Sequence, residues 1–197
     1  MLPGQLALEI PTPGSKFPPK HGTLSIRACV GGATFRTRLD RGWRAGGPLV
    51  LFLGHNPNKA DASIDDGTSW RWTGYAWRWG YAGYMGGNLF PFRTARPAEA
   101  RSLALDLETK QLRAENTREV VRMGAAASLV VACWGVVPAP VHAHAIGLLV
   151  AIREARRAPL QVHALGLTAG GFPVHPAARG RHRPSDDAQP ILWRELS

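Results

Sequence analysis

The stretch PLVLFLG, residues 48–54, decides the fold. An unbroken apolar run of that length, closed by glycine, fits a strand buried on both faces. Three further runs repeat the pattern: YAGYMGGNLF (81–90), SLVVACWG (128–135) and QVHALGL (161–167). Helical periodicity fills the intervals, at 68–79, at 97–105 and 113–125 around a short break, and at 141–157. In the last of these Val141, Ala145, Leu148, Leu149 and Ile152 share one face. In the first, the spacing of Trp70, Gly74, Trp77 and Tyr81 assigns the aromatic residues to a sheet-packed face rather than to a base-stacking platform. Strands alternating with helices require right-handed crossovers and a parallel sheet covered on both sides. The expected fold class is α/β, a three-layer α/β/α sandwich around a central four-stranded, mainly parallel sheet.

Outward from this core, TLSIRACVGGATFRTRL alternates polar and apolar residues about Gly31 and Gly32 and predicts a β-hairpin over residues 23–39. Residues 1–22 hold Pro3, Pro11, Pro13, Pro18 and Pro19 and read as an extended arm. The remainder, 23–197, reads as a single domain, with core 48–176 and a basic C-terminal loop 177–197 that ends in a short apolar tail. The chain has 197 residues, 45% hydrophobic and 19% charged, a globular composition. No run approaches the ~20 apolar residues of a membrane span. The start, MLPGQLALEI, lacks the basic region of a secretory leader, so a cytoplasmic protein with no membrane partner is expected. Cys29 and Cys133 read as two separate thiols, and no Cys/His spacing indicates zinc. The net charge is +10, carried mostly by arginine, whose planar fork suits phosphate. A nucleic-acid or nucleotide partner explains that excess; so does the codon bias of a GC-rich genome.

The polar residues that could carry chemistry follow the predicted strands, where open parallel sheets bind ligands. After the first comes Gly54-His55-Asn56-Pro57-Asn58, then Lys59, Asp61, Asp65 and Asp66. A carboxamide held in a stiff turn can orient water or a base edge, whereas Asp65 or Asp66 reads as the cap of the next helix. Asn88, in GGNLFPFR, offers the donor and acceptor needed to read a nucleobase, or to satisfy a neighbouring loop. Arg93 and Arg96 nearby are candidates for phosphate. After the last strand, Gly166 to Gly171 leads to His175-Pro176, and a histidine so placed can donate to charge developing on a leaving group. Arg179, Arg181 and Arg183 beyond it could grip a phosphate backbone. Trp134-Gly135 closes the third strand and reads as packing.

Taken in order, LGHNPNKADASIDDGT, GYAWRWGYAGYMGGNLFPFRTARP, VVACWG and LGLTAGGFPVHP resemble a bacterial and phage family catalogued as domain of unknown function 1643, over about Arg38 to His175. That family implies no activity. It usually has leucine and serine around the first Asn-Pro, where this chain has His55 and Asn58, and Arg-His-Pro-Leu where this chain has Val174 to Ala177. A fainter resemblance is to uracil-DNA glycosylases and their mismatch-specific relatives. It rests on Gly54-x-Asn56-Pro57, on Asn88, on Trp134-Gly135 and on His175-Pro176. The resemblance implies that Asn56 positions a water, that Asn88 reads the base and that His175 stabilises the departing base. Their apolar wedge is not matched, since this loop continues Ala177, Ala178, Arg179. Phe90 and Phe92 are the candidates for stacking on the base.

The expectation is therefore a hydrolase of the N-glycosidic bond in DNA or a nucleotide, with no cofactor and no metal. Asn56 and His175 are its catalytic residues. Gly54, His55, Pro57, Asn58, Asn88 and Phe90 contact substrate, and Arg93, Arg179, Arg181 and Arg183 hold phosphate. The rivals are a non-catalytic nucleic-acid or nucleotide-binding module and a metal-dependent phosphoesterase built on Asp61, Asp65 and Asp66.

Overall fold

The computed structural model describes residue 24 and residues 26–197, so the proline-rich arm lies outside the described residues. One seven-stranded mixed sheet organises them, in the order β1-β2-β4-β3-β5-β6-β7. Its parallel centre is β4 (Gly83–Asn88), β3 (Leu49–Gly54), β5 (Leu129–Ala132) and β6 (Leu160–Ala164). These are the four apolar runs. The expected four-stranded sheet is nonetheless too small. The hairpin β1 (Ile26–Gly31) and β2 (Arg36–Gly42) adds itself antiparallel to β4, and β7 (Ile191–Leu196) pairs antiparallel with β6. The apolar end of the supposed C-terminal loop is thus an edge strand. Its pattern, two exposed residues for each half-buried one, lacks the strict alternation that would have marked it.

Both faces of β3 are buried, which explains its unbroken apolar run. Leu51 and Leu53 point into one cluster with Val120 and Met123 of α3 (Lys110–Ala126) and Leu148, Leu149 and Ile152 of α4 (Ala139–Arg156). Val50 and Phe52 point into another with Trp72, Tyr75 and Ala76 of α1 (Gly67–Arg78). Phe52 and Trp72 stack with centroids 5.5 Å apart and planes within 5°. The sheet-facing side of α1 is therefore Trp72, Tyr75 and Ala76, not the expected Trp70 and Trp77: Trp70 is exposed, and Trp77 turns to the edge of Trp43. The buried face of α4 is Val141, Ala145, Leu148, Leu149 and Ile152. A shorter helix, α2 (Pro97–Leu103), precedes α3, joined to it by a 3-10 turn at Leu107–Thr109. Among the described residues no helix is long and apolar enough to cross a membrane.

The strand register levels the carboxyl ends of the parallel strands. Gly54 lies opposite Asn88, Leu53 opposite Ala132, and Ala132 opposite Ala164. Everything that follows these residues is delivered to one rim.

Candidate functional site

The rim is assembled by backbone pairing that runs on past the strand ends. Leu89 N–H donates to Gly54 O and Phe90 N–H to His55 O, at 2.9 and 3.0 Å, so the loop after β3 lies beside the loop after β4. Gly54 is confined by this closeness: a Cβ there would sit 3.0 Å from Asn88 Oδ1 and 3.5 Å from the Trp72 ring. After β5, Gly135 takes φ +79 and its N–H donates to Pro173 O at 3.0 Å. That bond lays the loop after β6 over the end of β5. A Cβ at Gly135 would lie 3.5 Å from His175 Cβ, so glycine serves both the turn and the approach.

Asn56 is committed to this scaffold. Its Nδ2 donates to Thr94 O at 2.7 Å and to Pro57 O at 3.0 Å. Two carbonyl partners fix which end of the amide is nitrogen. Its Oδ1, 2.9 Å from His55 Nδ1, must then accept from that ring nitrogen. His55 is thereby held as the Nδ1–H tautomer, with the lone pair on Nε2. That Nε2 is buried and has no hydrogen-bond partner. Burial lowers the His55 pKa, partly offset by the Asn56 hydrogen bond and reinforced by the charge of Arg101, so the ring is neutral at pH 7.

His175 has the opposite tautomer. Ala177 N–H donates to its Nδ1 at 3.1 Å, which leaves the proton on Nε2. Its pKa is also lowered, first by burial, against the pull of Asp66 and with the push of His55. The two imidazoles thus differ in what they present, a lone pair on His55 Nε2 after β3 and a proton on His175 Nε2 beside the Gly135 turn after β5.

Asn88 is 2% exposed and its Nδ2 has no partner. Its backbone carbonyl accepts from Asn116 Nδ2 at 3.0 Å, which ties α3 to the rim. Phe90 stands between two histidines. His144 stacks on it, with centroids 5.4 Å apart and planes 15° apart, and His55 meets it edge-on at 5.3 Å. Phe92 is buried in the core.

The remaining expected residues lie elsewhere. Arg93 donates to Asn58 O, Ala60 O and Phe35 O. With Asn58 and Lys59 it lines a groove of about 790 Å³ against the hairpin. Arg179, Arg181 and Arg183 are exposed around a 3-10 turn at Gly180–His182. Trp134 is packed edge-on against Trp193 of β7.

The three carboxylates after Asn58 are each engaged. Asp61 accepts from the Ser63 and Ile64 N–H groups, which lowers its pKa, and Asp65 pairs with Arg41 and Arg27. Asp66 caps α1 in a reciprocal arrangement with Ser69. Two buried arginines, Arg36 and Arg41, were not anticipated. Arg36 Nη1 donates to Ala60 O at 2.7 Å, and burial pushes its pKa down to about 10. Arg41 Nη2 reaches Asp61 O and Asp65. Together they clamp the 56–66 loop to the hairpin. Asn116 and His144 were also missed as rim residues.

Residues 36–177 match the model of the family described as Protein of unknown function (DUF1643), and the chain belongs to that family. The matched span begins at the buried Arg36 and closes just past His175, enclosing the whole rim. No curated protein and no solved structure matches the chain.

Proposed function

We propose that this protein hydrolyses the N-glycosidic bond of a base in DNA or in a nucleotide, in the manner of uracil-DNA glycosylases. The observation that carries the reading is two histidines of complementary tautomer in the loops after the parallel strands, together with a buried asparagine at the end of β4 whose amide nitrogen is unpartnered. Hydrolysis of such a bond needs a group that takes a proton from water, a donor for the negative charge that forms on the base, and an amide that reads the base edge.

His55 Nε2 accepts a proton from water. The water oxygen attacks the anomeric carbon, and the electron pair of the glycosidic bond leaves with the base. His175 Nε2–H donates to that base as its charge develops. Asn88 offers Nδ2–H and Oδ1 to the Watson–Crick edge. Asn56 acts on the water through His55, whose tautomer it fixes. Gly54 and Pro57 shape the turn, and Phe90 walls it. Arg179, Arg181 and Arg183, exposed in the loop that follows His175, hold the phosphate backbone. The seven-stranded sheet supports a reading as an elaborated α/β/α sandwich, with helices in each of its two apolar clusters.

The test is incubation with oligonucleotides carrying uracil, hypoxanthine or modified pyrimidines, followed by alkaline cleavage of abasic product. Base release that His175→Ala and Asn88→Ala both lower at least a hundredfold supports the reading. No abasic product from any of these substrates overturns it.

A further inference from the structure

A cavity of about 630 Å³, lined by Phe90 and His144, opens between the α2–α3 segment and the start of α4. That volume suits a small ligand. Phe90, His144 and Leu105 give it an apolar wall, and Arg101, Lys110 and Arg113 are its cations. No carboxylate lines it. Elsewhere Arg27, Arg38, Arg41, Arg71 and Arg122 are all in ion pairs. Among the described residues the three cations of this cavity form none of the salt bridges. The Arg113 Nε is moreover buried without a partner, and its Nη2 reaches only Asp106 O at 3.5 Å. Leu105, on the rim, is 84% exposed, an apolar surface that a flat ligand would cover.

We infer that this cavity binds a nucleoside monophosphate unit, with the phosphate on Arg101, Lys110 and Arg113 and the base against Leu105 and Phe90. Unpaired cations around an apolar wall are complementary to a ligand that is anionic at one end and aromatic at the other. A simple anion would not need the apolar wall, and a lipid chain would not need three charges. The inference rests on the reading of the rim as a nucleic-acid site and deepens it, since the Phe90 ring that lines this cavity also meets His55. The unit has two sources, a free nucleotide or one residue of a strand.

Isothermal titration of the His175→Ala protein, which should not turn substrate over, tests the inference. The probes are deoxynucleoside monophosphates, the matching nucleosides and a short single-stranded oligonucleotide. Arg113→Gln and Arg101→Gln change half-buried positions, and circular dichroism checks their fold. Each should weaken nucleotide binding at least tenfold, the effect of losing one charge-assisted hydrogen bond. Nucleosides should bind more weakly than their monophosphates by a similar factor. Binding of the monophosphate identifies a free nucleotide as a sufficient ligand; binding of the oligonucleotide alone, still dependent on Arg113, identifies a strand. Equal binding by parent and both variants, or by nucleoside and monophosphate, overturns the inference. Arg113-dependent binding without base release would sink the glycosidic reading and leave this cavity standing. Base release and binding indifferent to Arg113 would do the reverse.

Discussion

The loop after β3 and the rim it helps to build treat buried polar groups in opposite ways. From Asp61 to Asp66 the three carboxylates are paired: Asp65 with Arg41 and Arg27, Asp66 with the first turn of α1, Asp61 with the Ser63 and Ile64 amides. At the ends of β3 and β4, His55 Nε2 and Asn88 Nδ2 are buried with nothing to bond. An unmet buried donor or acceptor costs about 1–3 kcal/mol, a cost that a ligand bonded to the two rim groups would offset. The contrast separates residues that hold the fold from residues free to meet a ligand, although His55 and the three aspartates belong to one loop.

The largest effect should come from breaking the paired side. Arg41 has a fully buried side chain and gives Asp65 bonds at 2.9 and 2.8 Å. Arg41→Met should cost about 3 kcal/mol or more in urea unfolding, because it leaves a buried carboxylate short of its partner. An unchanged denaturation midpoint would erase the distinction drawn above. In the proposed reaction, His175→Gln should lower base release about 10²–10³-fold, as loss of a donor to developing charge does, with the unfolding midpoint little moved.

Acidification should affect both readouts. His55 and His175 have pKa values depressed in the folded state, while the unfolded chain titrates near the ordinary 6.5. Below that value the unfolded state binds more protons than the folded one, so stability rises with pH across this window and is lost as pH falls through it. Thermal unfolding between pH 7.5 and 5.5 should show this loss, with a shallower slope in His55→Asn. A stability flat across that range would argue against neutral buried imidazoles. The Asp66→Ala change should cost about 1 kcal/mol, the usual loss of an N-cap. Smallest of all, Asn88→Ala should move stability little, since no side-chain bond to Nδ2 is lost; a cost as large as that of Arg41→Met would mean its amide is structural after all.

The sequence made the sheet's centre legible because strands buried on both faces must be apolar throughout. The edges were harder. β7 is two-thirds exposed and carries Arg194 and Glu195, so only its partner β6 defines it. The hairpin was readable as a hairpin, but nothing local says that β2 docks on β4. On the rim, Gly54, Asn56, Asn88 and His175 stood out because amides and imidazoles at strand ends are unusual. His144 and Asn116 did not, because each sits within a helix, where polar residues are ordinary. Arg36 and Arg41 were invisible for a similar reason: twenty-four basic residues in one chain conceal which of them are buried. The role of Asn56 changed most. Its type announced a water-orienting group, yet only coordinates reveal that both its hydrogens go to carbonyls and its oxygen to His55.

Nitrogen-15 spectroscopy of the labelled histidine rings at pH 7.5 reports directly on the claim from which the chemistry follows. Two neutral imidazoles of opposite type are expected, His55 protonated on Nδ1 and His175 on Nε2, each retaining that form to below the ordinary histidine pKa. The same tautomer at both positions, or an imidazolium at either, would contradict it.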